Sequence, residues 1–145
     1  MNRMKNLLYK DFRLAASPVM YAFLALTAMM LIPSYPYYVV FFYCCLGIFF
    51  TFQNARECRD AQYVATLPVR KRDAVKARLV MMTLVELAFV AVSVPFAVLN
   101  AKLIPEGNAA GMDCNAALYG LTLLMLGLFN LTFAPIYYRD GRSAG

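Results

Sequence analysis

Apolar and polar positions in this chain segregate into whole segments. From 19 to 52 the side chains are almost all apolar, and the run is broken by "PSYP" at Pro33, Ser34, Tyr35 and Pro36. Two more apolar runs follow, 79–101 with the single acid Glu86 inside it and 116–138 with no charge at all. A bilayer core is about 30 Å thick and a helix rises about 1.5 Å per residue, so one crossing takes roughly 20 apolar residues. The two later runs meet that length directly. In the first run the two prolines remove backbone donors and stop a straight helix, which predicts a hairpin with arms at 18–32 and 35–52. Both arms are somewhat short, so local thinning of the bilayer or a kinked first span is expected. The pattern predicts an all-α membrane protein with four transmembrane helices.

Ahead of the first run, "MNRMKNLLYKDFRLAAS" has a helical period. Met4, Leu8, Phe12 and Ala15 recur on one face with Leu7 and Leu14 beside them, while Arg3, Lys5, Asn6, Lys10 and Arg13 take the rest. A basic amphipathic helix of this kind lies in the membrane interface with its cations near anionic headgroups. Ser17 and Pro18 then supply an N-cap and a first-turn proline for the first span. Basic residues before an apolar run also describe a secretory signal peptide, but no small-residue cleavage site follows and the chain returns at once to apolar residues.

Composition agrees with a membrane class. The chain is 62% hydrophobic and 15% charged, against about 25% charged in a soluble domain, and its mean hydropathy is +0.58. Charge placement orients the spans. Thirteen of the fourteen cations lie before the first span, between the second and third, or after the fourth, and Lys102 is the exception. Cationic loops stay in the cytoplasm, so both termini and the basic loop are expected inside, in a multi-pass membrane protein. One membrane domain, 1–145, then divides into an interfacial elbow helix (1–17), a first transmembrane hairpin (18–53), a cytoplasmic loop (54–78), two further spans (79–138) around an external loop (102–115), and a cytoplasmic tail (139–145).

The inventory for catalysis is short. Histidine is absent from the chain, and there is neither a phosphate-cradling Gly-rich motif nor a pair of acids at metal-ligand spacing. Cys44 and Cys45 are adjacent in a span, Cys58 is on the basic loop and Cys114 on the far side, a set that builds no disulfide or zinc framework. No enzyme activity, cofactor, metal or nucleic-acid partner is expected. Asn130-Leu131-Thr132 matches a glycosylation sequon but falls inside the fourth span, out of reach of glycosyl transfer. Glu86 is the one acid inside a span. Such a residue faces other helices or water and is a functional candidate by default; a hydrogen-bonded structural role and a place on a substrate route or gate both stay open.

The loop "NARECRDAQYVATLPVRKRDAVKARL" carries the densest charge, with Arg70, Lys71, Arg72, Lys76 and Arg78 inside nine positions. A polar segment, then Pro68, a short basic stretch and a long apolar run predict a helix lying flat before it turns into the third span. This loop, the "YPYY" turn, "ELAFVAVSVPFAVL", "NAAGMDCNAALYGL" and "GLFNLTFAPIYYRDG" together resemble successive segments of the permease subunits of bacterial type 2 ABC transporters, the exporter class. The likeness runs from "NLLYKDFRL" to about Gly141. It implies that the N-terminal helix is the elbow of such a permease and that a cytoplasmic helix between the second and third spans couples to an ABC ATPase subunit. The coupling residues it implies are Arg56, Leu67, Pro68, Arg70, Lys71, Arg72, Asp73 and Lys76. It further implies a second permease subunit, as a homodimer or heterodimer. Permeases of that family generally carry six spans, so the chain reads as lacking the last two. Two other readings compete: a small ion-coupled carrier with Glu86 as its proton site, and a non-transporting membrane adaptor or immunity-type protein.

Overall fold

The structure, a computed structural model, describes residues 2–103 and 113–143. Most of the loop expected at 102–115 and the last residues of the tail lie outside the described residues. Among the described residues all regular structure is helical: α1 (Asn2–Lys10), a π-helical turn (Asp11–Ala15), α2 (Pro18–Ala25) running on as a 3-10 segment (Leu26–Leu31), α3 (Tyr38–Glu57), α4 (Asp60–Thr66), α5 (Lys71–Leu103) and α6 (Ala116–Ser143). Three of these, α3, α5 and α6, are long and apolar enough to cross a membrane. A fourth crossing is available if the N-terminal helix and the Pro18–Leu31 segment, bent by 80° from each other, count as one broken span.

The bend follows from local chemistry. Ala16 N–H donates to the Asp11 carbonyl at 2.8 Å, closing the wide π turn. Ser17 then takes an extended conformation and accepts from Val19 N–H, with Pro18 opening α2, the cap the sequence predicts. Ser17 N–H in turn donates to Thr51 Oγ1 at 3.3 Å, which pins the start of the first arm to α3. The two arms lie close at Gly47, where a Cβ would stand 3.4 Å from the Met20 Cα, at van der Waals contact. The first arm is short, as expected. Its 3-10 segment rises about 2.0 Å per residue instead of 1.5, so fourteen residues reach about 24 Å and part of the deficit against a 30 Å core is recovered.

The hairpin turn falls at the prolines, with Ser34 in the left-handed region at φ 61°. The second arm differs from expectation. It is a helix of twenty residues, since α3 continues through Gln53, Asn54 and Ala55 to Glu57 without a breaker. A second difference lies in the basic stretch. Residues 71–78 do not form a separate flat helix; they are the first turns of α5, which runs for thirty-three residues, or about 50 Å. Lysine, arginine and alanine all favour helix, and nothing in the stretch interrupts it. The short helix of the loop is instead α4, ahead of Pro68.

Two buried clusters hold the arms together. At one level Met20, Cys44, Cys45, Ile48, Phe52, Met82, Val85, Phe89 and Leu126 pack between α2, α3, α5 and α6. Toward the hairpin turn, Met30, Tyr37, Val40, Phe41, Ala97 and Leu118 form the second. There Asn100 Nδ2 donates to the Met30 carbonyl at 2.7 Å and to the Tyr37 hydroxyl at 2.8 Å, tying the end of α5 to the hairpin. α6 is held largely by rings: Phe133 meets Phe52 at 5.2 Å and Phe129 at 5.0 Å, and Tyr137 meets Phe52 at 4.7 Å. Its Leu121, Leu124, Leu128 and Leu131 stay exposed, as suits a face toward lipid.

Candidate coupling site and the buried charges behind it

The residues expected to couple are spread over the end of α3, the link after α4 and the start of α5. Arg56 is in the last turn of α3, exposed, with its guanidinium 5.2 Å over the Tyr137 ring. Leu67 is half-buried and Pro68 exposed in the link, where Val69 N–H donates to the Leu67 carbonyl at 2.7 Å. Arg70, Lys71, Arg72 and Lys76 are all exposed, while Asp73 is half-buried. The Arg70 carbonyl accepts from the N–H groups of Asp73 and Ala74 at 2.9 and 3.3 Å, starting the helix. The structure therefore brings Arg70, Lys71, Arg72 and Lys76 together as a cationic tip on α5, and sets Arg56 apart against α6.

That tip opposes the helix it begins. The N-terminus of a helix carries roughly half a positive charge and favours acids; Asp73 obeys this and Lys71 and Arg72 do not. The four cations at this helix end make a concentrated positive potential, open to solvent and suited to carboxylates or phosphates. Arginine adds a planar fork that grips a carboxylate through two bonds.

Behind the tip lies a set of charges that sequence reasoning missed. Lys10 Nζ is 3.1 Å from Asp11 Oδ1 and 2.8 Å from Asp60 Oδ1. Arg78 Nη2 is 3.2 Å from Asp11 Oδ1 and 2.5 Å from Asp60 Oδ2. Asp11 and Arg78 are buried, and the Arg78 guanidinium lies 5.7 Å from the Phe52 ring centre. Two cations and two acids from α1, the π turn, α4 and α5 balance one another. The arrangement ties the short α4 both to the N-terminal helix and to the long α5. The available signal was faint: Asp11 and Asp60 are acids in otherwise basic segments, and the sequence does not say that they meet.

Glu86 is buried eight residues beyond Arg78 on α5, about 12 Å along the helix. It accepts from Asn130 Nδ2 on α6 at 2.8 Å. Asn130, read in the sequence as part of an unusable sequon, is its polar partner between helices. Among the described residues no group of three or more His, Cys, Asp or Glu side chains is placed to hold a metal ion.

The profile of the family described as ABC-2 family transporter protein covers residues 6–144. No curated protein and no solved structure matches the chain.

Proposed function

The chain is a multi-pass membrane permease of the ABC-2 transporter family, and from that premise we propose that it moves a substrate across the bacterial cytoplasmic membrane with energy from ATP hydrolysed by a separate ABC ATPase subunit. In this reading both termini and α4 are cytoplasmic, α1 is the elbow at the membrane surface, and a second permease subunit completes the transporter. The ATPase docks on the segment from Arg56 to Lys76, with Arg70, Lys71 and Arg72 offered to acidic groups, Leu67 and Pro68 fixing the approach, and Asp73 and Lys76 on the same turn of helix. Glu86 belongs to the packing of α5 against α6 and not to a substrate route.

The observation that supports the reading is the exposed cationic tip of α5, kept at a helix end where cations are unfavourable. Positive-inside orientation asks for cations near the span but not for arginine in particular. The test is co-purification of the cognate ATPase with membrane-inserted permease at matched levels. Arg70→Lys with Arg72→Lys is expected to leave insertion unchanged and weaken recovery of the ATPase, and Arg70→Glu with Arg72→Glu to abolish it. Undiminished recovery with the glutamate pair would remove the docking role and leave these charges as an orientation signal.

A further inference from the structure

Two buried oxygens in the middle of the bundle are left over from one contact. Asn130 Nδ2 donates to Glu86 Oε2, and neither Glu86 Oε1 nor Asn130 Oδ1 has a hydrogen-bond partner among the described residues. With the carboxyl ionised both are acceptors, so turning either group over exchanges one deficit for another. A buried polar atom without a partner costs about 1–3 kcal/mol, more for a charged group, and no water in a hydrocarbon core relieves it. The two oxygens each show less than 1 Å² to solvent. Neither a water nor an ammonium ion reaches a surface that closed, but a proton does.

We propose that Glu86 and Asn130 share one proton, carried on Glu86 Oε1 and donated in a hydrogen bond to Asn130 Oδ1. With the bond from Asn130 Nδ2 to Glu86 Oε2, this closes a ring of two hydrogen bonds between a carboxylic acid and a primary amide. One hydrogen satisfies both orphaned atoms and removes the formal charge from the span. The titratable groups that face Glu86 are Cys44 and Cys45 from α3; from α6 the facing group is the Asn130 amide, which does not titrate. The cation nearest along α5 in the N-terminal direction, Arg78, is already engaged by Asp11 and Asp60. The pair thus clasps α5 to α6 as a neutral unit, in a stretch where α6 is otherwise held by aromatic contacts. The inference stands independently of ATPase docking, since no part of it uses the loop.

Infrared spectroscopy of the full chain in lipid at neutral pH tests it. A carboxylic-acid C=O stretch is expected in the native protein and absent in Glu86→Gln, which keeps the fold because two amides close the same ring. In Asn130→Leu the acid carbonyl loses its donor, and the band moves to higher frequency. The double exchange Glu86→Gln/Asn130→Asp places the acid on α6 and restores a hydrogen-bonded band, which decides the matter if Asn130→Leu fails to fold. A native spectrum without the acid band, a band that survives Glu86→Gln, or a band that neither Asn130→Leu nor the exchange affects overturns the shared proton.

Discussion

Arg78 shows how one residue takes its meaning from groups far along the chain. In the sequence it is the last of seven cations in a basic loop; in the fold it is buried and engages acids 67 and 18 positions away. Taking one partner out of a buried ion pair leaves the others charged and unpaired, a loss of about 3–5 kcal/mol in fully buried cases. Asp60 is partly open, so the lower end applies. Arg78→Ala is therefore expected to cost about 3 kcal/mol in reversible unfolding in detergent, and Asp60→Asn less, because Lys10 and Arg78 keep Asp11. Their double mutant separates a network from a set of bystanders. A coupling energy of at least about 1 kcal/mol is expected for residues in direct contact, and strict additivity would mean that Arg78 acts through its packing on Phe52 instead. Asn100 makes a parallel case at the opposite end of α5. Asn100→Leu leaves the Met30 carbonyl and Tyr37 hydroxyl without a donor, and a loss of about 1–3 kcal/mol is expected by the same measurement.

At the scale of elements, the start of α5 sets stability against docking. Lys71 and Arg72 face the positive end of their own helix dipole, so Lys71→Glu and Arg72→Glu are each expected to raise unfolding stability by about half a kcal/mol at low salt. The gain should fade as salt is added. If the proposed docking holds, the same changes weaken recovery of the ATPase, and the opposite signs distinguish a lost surface from a damaged fold. The long helices were legible in the sequence because hydrocarbon leaves the backbone no alternative: a run such as 116–138 must satisfy its own amides. The short ones were not. α4 has only seven residues, too few to be stable alone; its Asp60 finds Lys10 and Arg78 across the fold, and local sequence does not encode that meeting. The continuous start of α5 is hidden because a proline before a basic stretch signals a helix opening, whereas Pro68 lies in the link three residues ahead of α5. Asn130 was hidden for a different reason. A motif window groups it with Leu131 and Thr132, while its partner Glu86 is 44 positions away.

The whole molecule has two chemically distinct ends. Lys10, Asp11, Arg56, Asp60, Arg78 and Tyr137 meet at one. Met30, Tyr37, Asn100 and Leu118 meet at the other, with Cys114 packed against that cluster. The hairpin therefore turns at the end opposite the basic loop, and Cys58 and Cys114 report on opposite ends. The proposed orientation, with the cationic end in the cytoplasm as positive-inside sorting expects, is open to an accessibility measurement. In intact cells a membrane-impermeant maleimide is expected to label Cys114 and to reach Cys58 only after permeabilisation; Cys44 and Cys45 are buried and stay dark in both conditions. One property of Cys114 sets the conditions of the assay. Burial, and secondarily the neighbouring Asp113, push its thiol above the usual cysteine range, and the thiolate is the form that reacts. A raised value means less thiolate at neutral pH, so labelling of Cys114 should be slow at pH 7 and accelerate as the buffer is made more alkaline, without any change in which side reacts. A weak signal at neutral pH is then a matter of protonation. Labelling of Cys58 before Cys114 at every pH would reverse the orientation and with it the assignment of the cationic tip to an ATPase.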